Sequence, residues 1–118
     1  MRIALIAIIL VVLCGCGPKG LIDAQVAARA KMDETLKDPE SAEYSDVEAF
    51  QLSGDNFAFC GKVNAKNGFG GYTGSERFIA SPGLGLTETA LGGDTNAVFQ
   101  DTWAKVCDPA KFVQGVSF

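Results

Sequence analysis

The sequence predicts a small α+β domain in which an N-terminal helix and a C-terminal helix pack on one face of an antiparallel sheet of about three strands. Three observations lead to this fold class. Apolar residues recur at helical spacing over 21–37 and again near the C terminus. Between these helices, apolar and polar residues alternate over 57–64 and 72–80, which indicates two strands joined by a glycine-rich loop. Finally, one cysteine lies in the central strand and one in the second helix, which allows a single disulfide to join them.

The first residues have the pattern of an export signal. Arg2 provides a positive start, and the apolar run Ile3–Leu13 is shorter than the ~20 residues that a transmembrane helix needs. The segment Leu13-Cys14-Gly15-Cys16 then resembles a bacterial lipobox, in which an apolar residue and two small residues precede the lipidated cysteine. We therefore expect a lipoprotein signal peptide over 1–15, a lipidated (palmitate-bearing) Cys16 within a tether over 16–20, and a single domain over 21–118.

Two alternatives to lipidation stay open, namely an uncut signal anchor and cleavage as an ordinary secreted protein. Cys14 is a poor lipidation site because cleavage before it would leave the bulky Leu13 next to the cut. Gly17 is not the aspartate that is linked in enterobacteria to retention in the inner membrane. By that resemblance we expect a periplasm-facing protein anchored in the outer membrane rather than the inner one.

Composition limits the classes of function. Without residues 1–15 the chain keeps 103 of its 118 residues, enough for one core, and its formal charge changes from −4 to −5 because Arg2 is lost. An acidic chain without a basic stripe is a poor partner for nucleic acid. The chain has no histidine, which removes the commonest metal ligand and the commonest general base. We predict no cofactor and no metal site.

Cysteine usage predicts a covalent link. If Cys14 leaves with the signal and Cys16 takes lipid, Cys60 and Cys107 remain in an oxidising compartment, where a pair is expected to form a disulfide. Such a link would be worth ~4 kcal/mol in the chain-entropy description. The alternative is a reactive thiol nucleophile, which would lack a histidine base.

The N-terminal half of the domain is predicted as a helix followed by a strand. Over Leu21–Lys37 a narrow, alanine-rich apolar stripe favours a helix packed on a sheet, with a groove for a partner helix as the alternative. Asp38-Pro39 ends it and opens one tight helical turn. The segment Tyr44–Leu52 alternates imperfectly, with Tyr44, Phe50 and Leu52 expected on one face and two acids between them, which is typical of an edge strand.

The C-terminal half continues as strands and a second helix. Phe57–Asn64 and Tyr72–Ala80 are predicted to pair antiparallel, and the glycine-rich stretch Ser81–Asp94 is predicted to be a long surface connection. A helix from a Thr95 cap follows. The tail Lys111–Phe118 offers one short additional strand.

No catalytic constellation is visible. Asp46 and Glu48 share a face of one strand, but a solvated strand face explains them better than a pair of catalytic acids does. The glycines of Gly68–Gly74 lack the spacing and the βαβ context of a dinucleotide loop. Asp94 alone does not supply a calcium loop.

Among functional sites, recognition is the best hypothesis for the loop between the two central strands. Glycines let the backbone approach a partner closely, and aromatic and arginine side chains dominate interface hot spots. The alternative is that both aromatic rings pack into the core while the asparagines bond their own backbone in turns. The candidate recognition residues are Asn64, Lys66, Asn67, Phe69, Tyr72 and Arg77.

Several segments together resemble a group of small exported proteins and lipoproteins of bacteria and their prophages. The resemblance spans about Leu36 to Cys107, and its central motif is Cys60-Gly-x-Val-Asn-Ala-Lys-Asn-x-x-Gly-Gly-Tyr-x-Gly74. It implies an exported domain with paired Cys60 and Cys107, and it indicates nothing about mechanism. We therefore expect a lipid-anchored envelope protein that binds an unidentified envelope protein, of which a prophage product acting on a host surface receptor is a specific form. The alternative is a periplasmic enzyme or enzyme inhibitor.

Overall fold

The computed structural model describes residues 18–91 and 97–118. The predicted α+β class and the disulfide between Cys60 and Cys107 are confirmed, but the antiparallel sheet has five strands rather than about three. The predicted signal peptide over 1–15, the lipidation of Cys16 and the helix cap at Thr95 lie outside the described residues. Within those residues, no helix combines the length and the apolar character needed to cross a bilayer.

In the described residues, four strands lie between the two helices, and a fifth strand follows the second helix. The helices and strands are α1 (Leu21–Thr35), β1 (Glu43–Ser53), β2 (Asn56–Asn64), β3 (Glu76–Ser81), β4 (Leu84–Thr87), α2 (Ala97–Val106) and β5 (Phe112–Gly115). The sheet order is β4-β3-β2-β1-β5, so the first four strands form a meander and the last strand returns to pair with the first. Short 3-10 turns precede β1, follow β4 and precede β5.

Helix α1 packs directly on the sheet, as its narrow stripe predicted. Its buried residues Leu21, Ala24, Ala28 and Met32 recur at helical spacing and face β2, β3 and β4. The alanines allow close contact between helix and sheet. At Gly85 of β4 the contact is so close that an added Cβ would lie 2.5 Å from the hydroxyl oxygen of Thr35.

The two helices cover opposite faces of the sheet, so the prediction that they share one face is wrong. On β2, Phe57 and Phe59 point into the core under α1, whereas Cys60 points into a second cluster with Phe99 and Cys107. Successive side chains of a strand alternate between faces, and the disulfide therefore holds α2 on the side opposite α1. We call these sides the α1 face and the α2 face.

Strand β1 departs from its prediction in two ways. It is not an edge strand, because β5 pairs with it on the side away from β2. It also carries a β-bulge between Ser45 and Glu48, where Asp46 and Val47 lie opposite the single residue Gly61. The extra residue reverses the alternation, so Tyr44 packs on the α1 face and Phe50 on the α2 face instead of sharing one.

After β2, the structure has a shorter third strand than predicted and one strand that was not predicted. Strand β3 begins at Glu76 rather than at Tyr72, because the preceding residues belong to the loop. Strand β4 was expected to be part of a surface connection. It pairs with β3 over Leu84–Thr87, and Thr87 is buried there. The predicted short strand in the tail is confirmed as β5.

Candidate functional site

The loop over 65–75 connects β2 to β3, and its tip is held by the side chain of Asn67. The Asn67 Oδ1 accepts hydrogen bonds from the backbone N–H groups of Phe69, at 2.9 Å, and of Gly71, at 3.3 Å. The backbone N–H of Asn67 donates to the Gly71 carbonyl, and that of Gly70 donates to the Asn67 carbonyl. Residues 67–71, here called the loop tip, therefore form an ordered turn of the kind that asparagine stabilises.

The base of the loop is tied to the 3-10 turn that precedes β1. The backbone N–H of Lys66 donates to Ser41 Oγ at 2.8 Å, and Ser41 Oγ donates in turn to the Asp38 carbonyl at 2.7 Å. The hydroxyl of Tyr72 donates to the Ser41 carbonyl at 3.3 Å. Lys66 and Tyr72 also form a single antiparallel bridge. These contacts fix the direction in which the loop projects.

Phe69 lies at the loop tip with its side chain fully in solvent. Its relative exposure is 100 %, and Tyr72 is 48 % exposed. The hypothesis that both rings pack into the core therefore does not hold. Gly70, at φ 82°, adopts a conformation that a residue with a side chain rarely takes, so the turn that presents Phe69 requires glycine there.

The structure brings only part of the predicted residue set together. Lys66, Asn67, Phe69 and Tyr72 lie in the loop, and the Lys66 ammonium lies 5.6 Å from the centre of the Tyr72 ring. Asn64 ends β2 and is partly buried; its Oδ1 accepts no hydrogen bond within the described part of the chain.

Arg77 lies apart from the loop, on the α2 face. Its guanidinium carbon lies 4.8 Å from the centre of the Trp103 ring, and its Nη2 donates to Glu88 Oε2 at 3.1 Å and to Gln100 Oε1 at 3.0 Å. Alternation along β3 explains the separation, because Arg77 and Ile79 point to the face opposite Phe78. Arg77 is thus part of the contact between α2 and the sheet.

Glu88 is held as a carboxylate by Arg77. The hydrogen bond from the Arg77 side chain lowers the pKa of Glu88 below its ordinary value of 4.5, and the Arg77 backbone N–H donates to the same carboxylate at 2.9 Å. Only 14 % of the Glu88 side chain is exposed, so water screens this pair less than it screens a surface pair.

A pH dependence of stability follows from Glu88. A lowered folded-state pKa stabilises the fold fully above pH 4.5, and this contribution is lost as pH falls through the lower value. We expect Glu88→Gln to lower the free energy of unfolding at pH 7 by about 1–2 kcal/mol and to weaken its decline below pH 4.5. Urea denaturation from pH 3 to pH 7, with the exposed Glu43→Gln as the control, measures both. Parallel acid profiles for wild type and Glu88→Gln would contradict it.

A second feature, which the sequence did not indicate, is a cleft of about 530 Å³ on the α2 face. We call it the α2-face cleft. Its floor and walls are largely apolar, and its rim carries two acids and two bases. Its lining residues are Asp46, Glu48, Phe50, Cys60, Gly61, Lys62, Arg77, Trp103, Cys107, Pro109 and Phe112. Alternation on β2 and β3 together with the disulfide would have placed Lys62, Arg77 and Trp103 on this face.

Asp46 and Glu48 both reach the rim of this cleft, because the bulge turns Asp46 outward. Both are exposed, and Asp46 lies 3.9 Å from the ammonium of Lys62. Paired catalytic acids usually include one carboxyl that is buried, whereas both of these side chains are exposed. Within residues 18–91 and 97–118, no three candidate ligands come together to hold a metal ion.

The loop tip and the α2-face cleft are thus two features of the described residues that are shaped for contact with another molecule. Comparison of the chain with protein-family models, with curated proteins and with solved structures found no match.

Proposed function

We propose that this chain is a lipid-anchored protein of the bacterial envelope, without enzymatic activity, that binds another envelope protein through the loop over 65–75. The observation that carries the proposal is the complete exposure of Phe69 on an ordered loop tip. A large apolar ring that lies fully in water contributes nothing to the stability of the fold. Aromatic side chains on rigid supports are typical anchors of protein interfaces.

The ordering of the loop tip supports binding by a preformed surface. Asn67 holds the tip and Ser41 holds the base, so little conformational entropy is lost when a partner closes over Phe69. Lys66 and Tyr72 lie in the same loop, with the Lys66 ammonium 5.6 Å from the centre of the Tyr72 ring, and supply a polar rim with a second aromatic surface. The remaining members of the predicted set, Asn64 and Arg77, are structural in this proposal.

Two features near the start of the domain support attachment to a membrane. Helix α1 begins at Leu21, five residues after Cys16, so the domain would lie close to an anchored lipid. Ile22 and Val26, one helical turn apart, are 74 % and 67 % exposed on the outward side of α1. Such residues are suited to contact with a bilayer surface. We place the protein in the outer membrane, facing the periplasm.

The loop hypothesis is tested by capture from solubilised envelopes. We expect Phe69→Ala to weaken binding of the captured partner by at least ~30-fold, the effect of a 2 kcal/mol hot spot. The free energy of unfolding should change by less than ~0.5 kcal/mol, because the ring contributes no burial. Phe69→Tyr keeps the ring and should retain most of the affinity.

Val98→Ala is the matched control, since Val98 is 63 % exposed but lies on α2. It should capture the same partner as the wild type. Equal capture by wild type and Phe69→Ala would contradict the loop hypothesis. A captured enzyme whose activity is blocked would instead support the alternative of an enzyme inhibitor, for which a protruding aromatic ring is equally suited.

The lipid anchor is tested separately. We expect Cys16→Ala to abolish incorporation of radiolabelled palmitate and to release the protein from the membrane fraction, because the lipid is the proposed attachment. Cys14→Ala, which leaves Cys16 in place, is the control and should remain lipidated. Labelling that persists in Cys16→Ala, or that is lost in Cys14→Ala, would overturn the assignment.

A further inference from the structure

The α2-face cleft has the dimensions and the lining of a small-molecule site. Its volume of about 530 Å³ falls within the range of ~300–1,000 Å³ that is typical of ligand pockets. The floor consists of buried Phe50 and the disulfide, and the ring of Phe112 stands beside it, half exposed. An apolar group of a ligand would therefore find an apolar surface on several sides.

Three of the four charged side chains around the cleft have an ionic partner, and one does not. Arg77 is satisfied by Glu88 and Gln100 and stacks on Trp103. Lys62 lies 3.9 Å from Asp46. The side-chain carboxylate of Glu48, exposed on the same rim, makes no hydrogen bond and no ion pair within the residues that the structure describes. The charged group without an ionic partner at the cleft is therefore the Glu48 carboxylate.

We propose that the α2-face cleft binds a small organic cation whose apolar body packs on Phe50, Phe112 and the disulfide and whose ammonium group pairs with Glu48. A carboxylate beside an apolar wall selects a positive group joined to an apolar body, because each part of such a ligand meets its complement. An anion would meet Glu48 without an uncompensated base to offset it. This site is independent of the loop tip.

Trp103 is the only tryptophan of the chain and lines the cleft, so its fluorescence reports on occupancy. We would titrate the folded, disulfide-bonded protein with 2-phenylethylamine, which carries an ammonium on an apolar body. The matched probe is 3-phenylpropionate, which has the same ring and the opposite charge. We expect a saturable change in emission with the amine, and binding at least ~10-fold weaker with the acid. Amide chemical shifts of Gly61 and Lys62 provide a second readout.

Variants locate the site. Glu48→Gln should weaken binding of the amine about fivefold, in line with a partly exposed ion pair, and Glu43→Gln should leave it unchanged. Glu43 lies on the same strand, is exposed, and does not line the cleft. Phe112→Ala should also weaken binding, because it removes apolar contact, whereas Phe69→Ala should have no effect.

Three results would overturn the proposal. One is the absence of a saturable response to the amine in both readouts. Another is equal binding of the amine and the acid, which would show that the rim charge selects nothing. The third is emission from Trp103 that depends on protein concentration, together with dimers in sedimentation, which would assign the cleft to contact between two copies of the chain.

Discussion

Replacing both Cys60 and Cys107 by alanine is expected to lower the free energy of unfolding by about 4 kcal/mol. The disulfide spans a sequence separation of 47, and closing a loop of that length restricts the unfolded chain by this amount in the chain-entropy description. A domain of this size has roughly 5–15 kcal/mol of net stability, so the loss is a large share of it. Urea denaturation of the oxidised wild type and of the double variant gives the difference.

The same double variant should also loosen α2. Cys107 follows the helix directly, so the disulfide adds a covalent link to the contacts that buried Phe99 and the stack of Arg77 on Trp103 make between the helix and the sheet. We expect backbone amides of α2 to exchange faster than those of β2 and β3 in the double variant. Wild type treated with reductant provides the control, since it removes the bond without changing composition. A loss below ~1 kcal/mol with unchanged exchange in α2 would contradict this prediction.

Gly61→Ala is expected to destabilise the fold by about 3 kcal/mol or more. A Cβ at this position would lie 2.8 Å from the Cα of Val47 and 3.1 Å from the carbonyl oxygen of Asp46, both of them backbone atoms. Because the bulge presses two residues of β1 against one residue of β2, the backbone there has no room to retreat. Overpacking of this kind costs ~1–3 kcal/mol and sometimes more.

Gly83→Ala is the matched control, because no atom lies within 4 Å of a Cβ built there and its φ is not in the left-handed region. It should leave the denaturation midpoint nearly unchanged. Gly61→Ala should also alter the amide shifts of Asp46 and Val47 on the facing strand. Equal midpoints for the two variants would show that the bulge can relax, and would remove the reason for glycine at position 61.

The sequence was sufficient for the elements whose pattern is strong and local. The stripe of α1 and the alternation of β2 gave those elements within two residues of their observed limits. The faces of strand β1 were predicted wrongly because the alternation of its side chains reverses at Asp46, where the β-bulge lies. No particular residue type in this stretch indicates a bulge. Strand β4 was missed because two glycines so close together, Gly83 and Gly85, are typical of a loop. Gly85 instead allows α1 to pack closely on the strand.

The candidate site, like the fold, has parts that local sequence predicts and parts that depend on residues far apart in the chain. Phe69 and Asn67 could be selected as candidates from local sequence. An aromatic residue among glycines predicts an exposed anchor, and an asparagine before glycine predicts a turn. Whether the ring is exposed depends on contacts with Ser41, some 30 residues earlier in the chain, which no local pattern contains. Arg77 was grouped with the loop because it is near in sequence. The α2-face cleft needed residues from β1, β2, β3, α2 and β5 at once.

The place of β5 in the sheet sets the order in which the domain can assemble. Strands β1 to β4 pair with neighbours along the chain, so their contacts close short loops and are expected to form early. Strand β5 joins β1 across more than 60 residues, at Glu48 and Gly115, and is expected to dock late. Until then the outer edge of β1 is open to pairing with another chain, and the wall of the cleft that Phe112 supplies is missing. We therefore expect the cleft, and with it the proposed ligand site, to be complete only after residues 112–115 have joined the sheet.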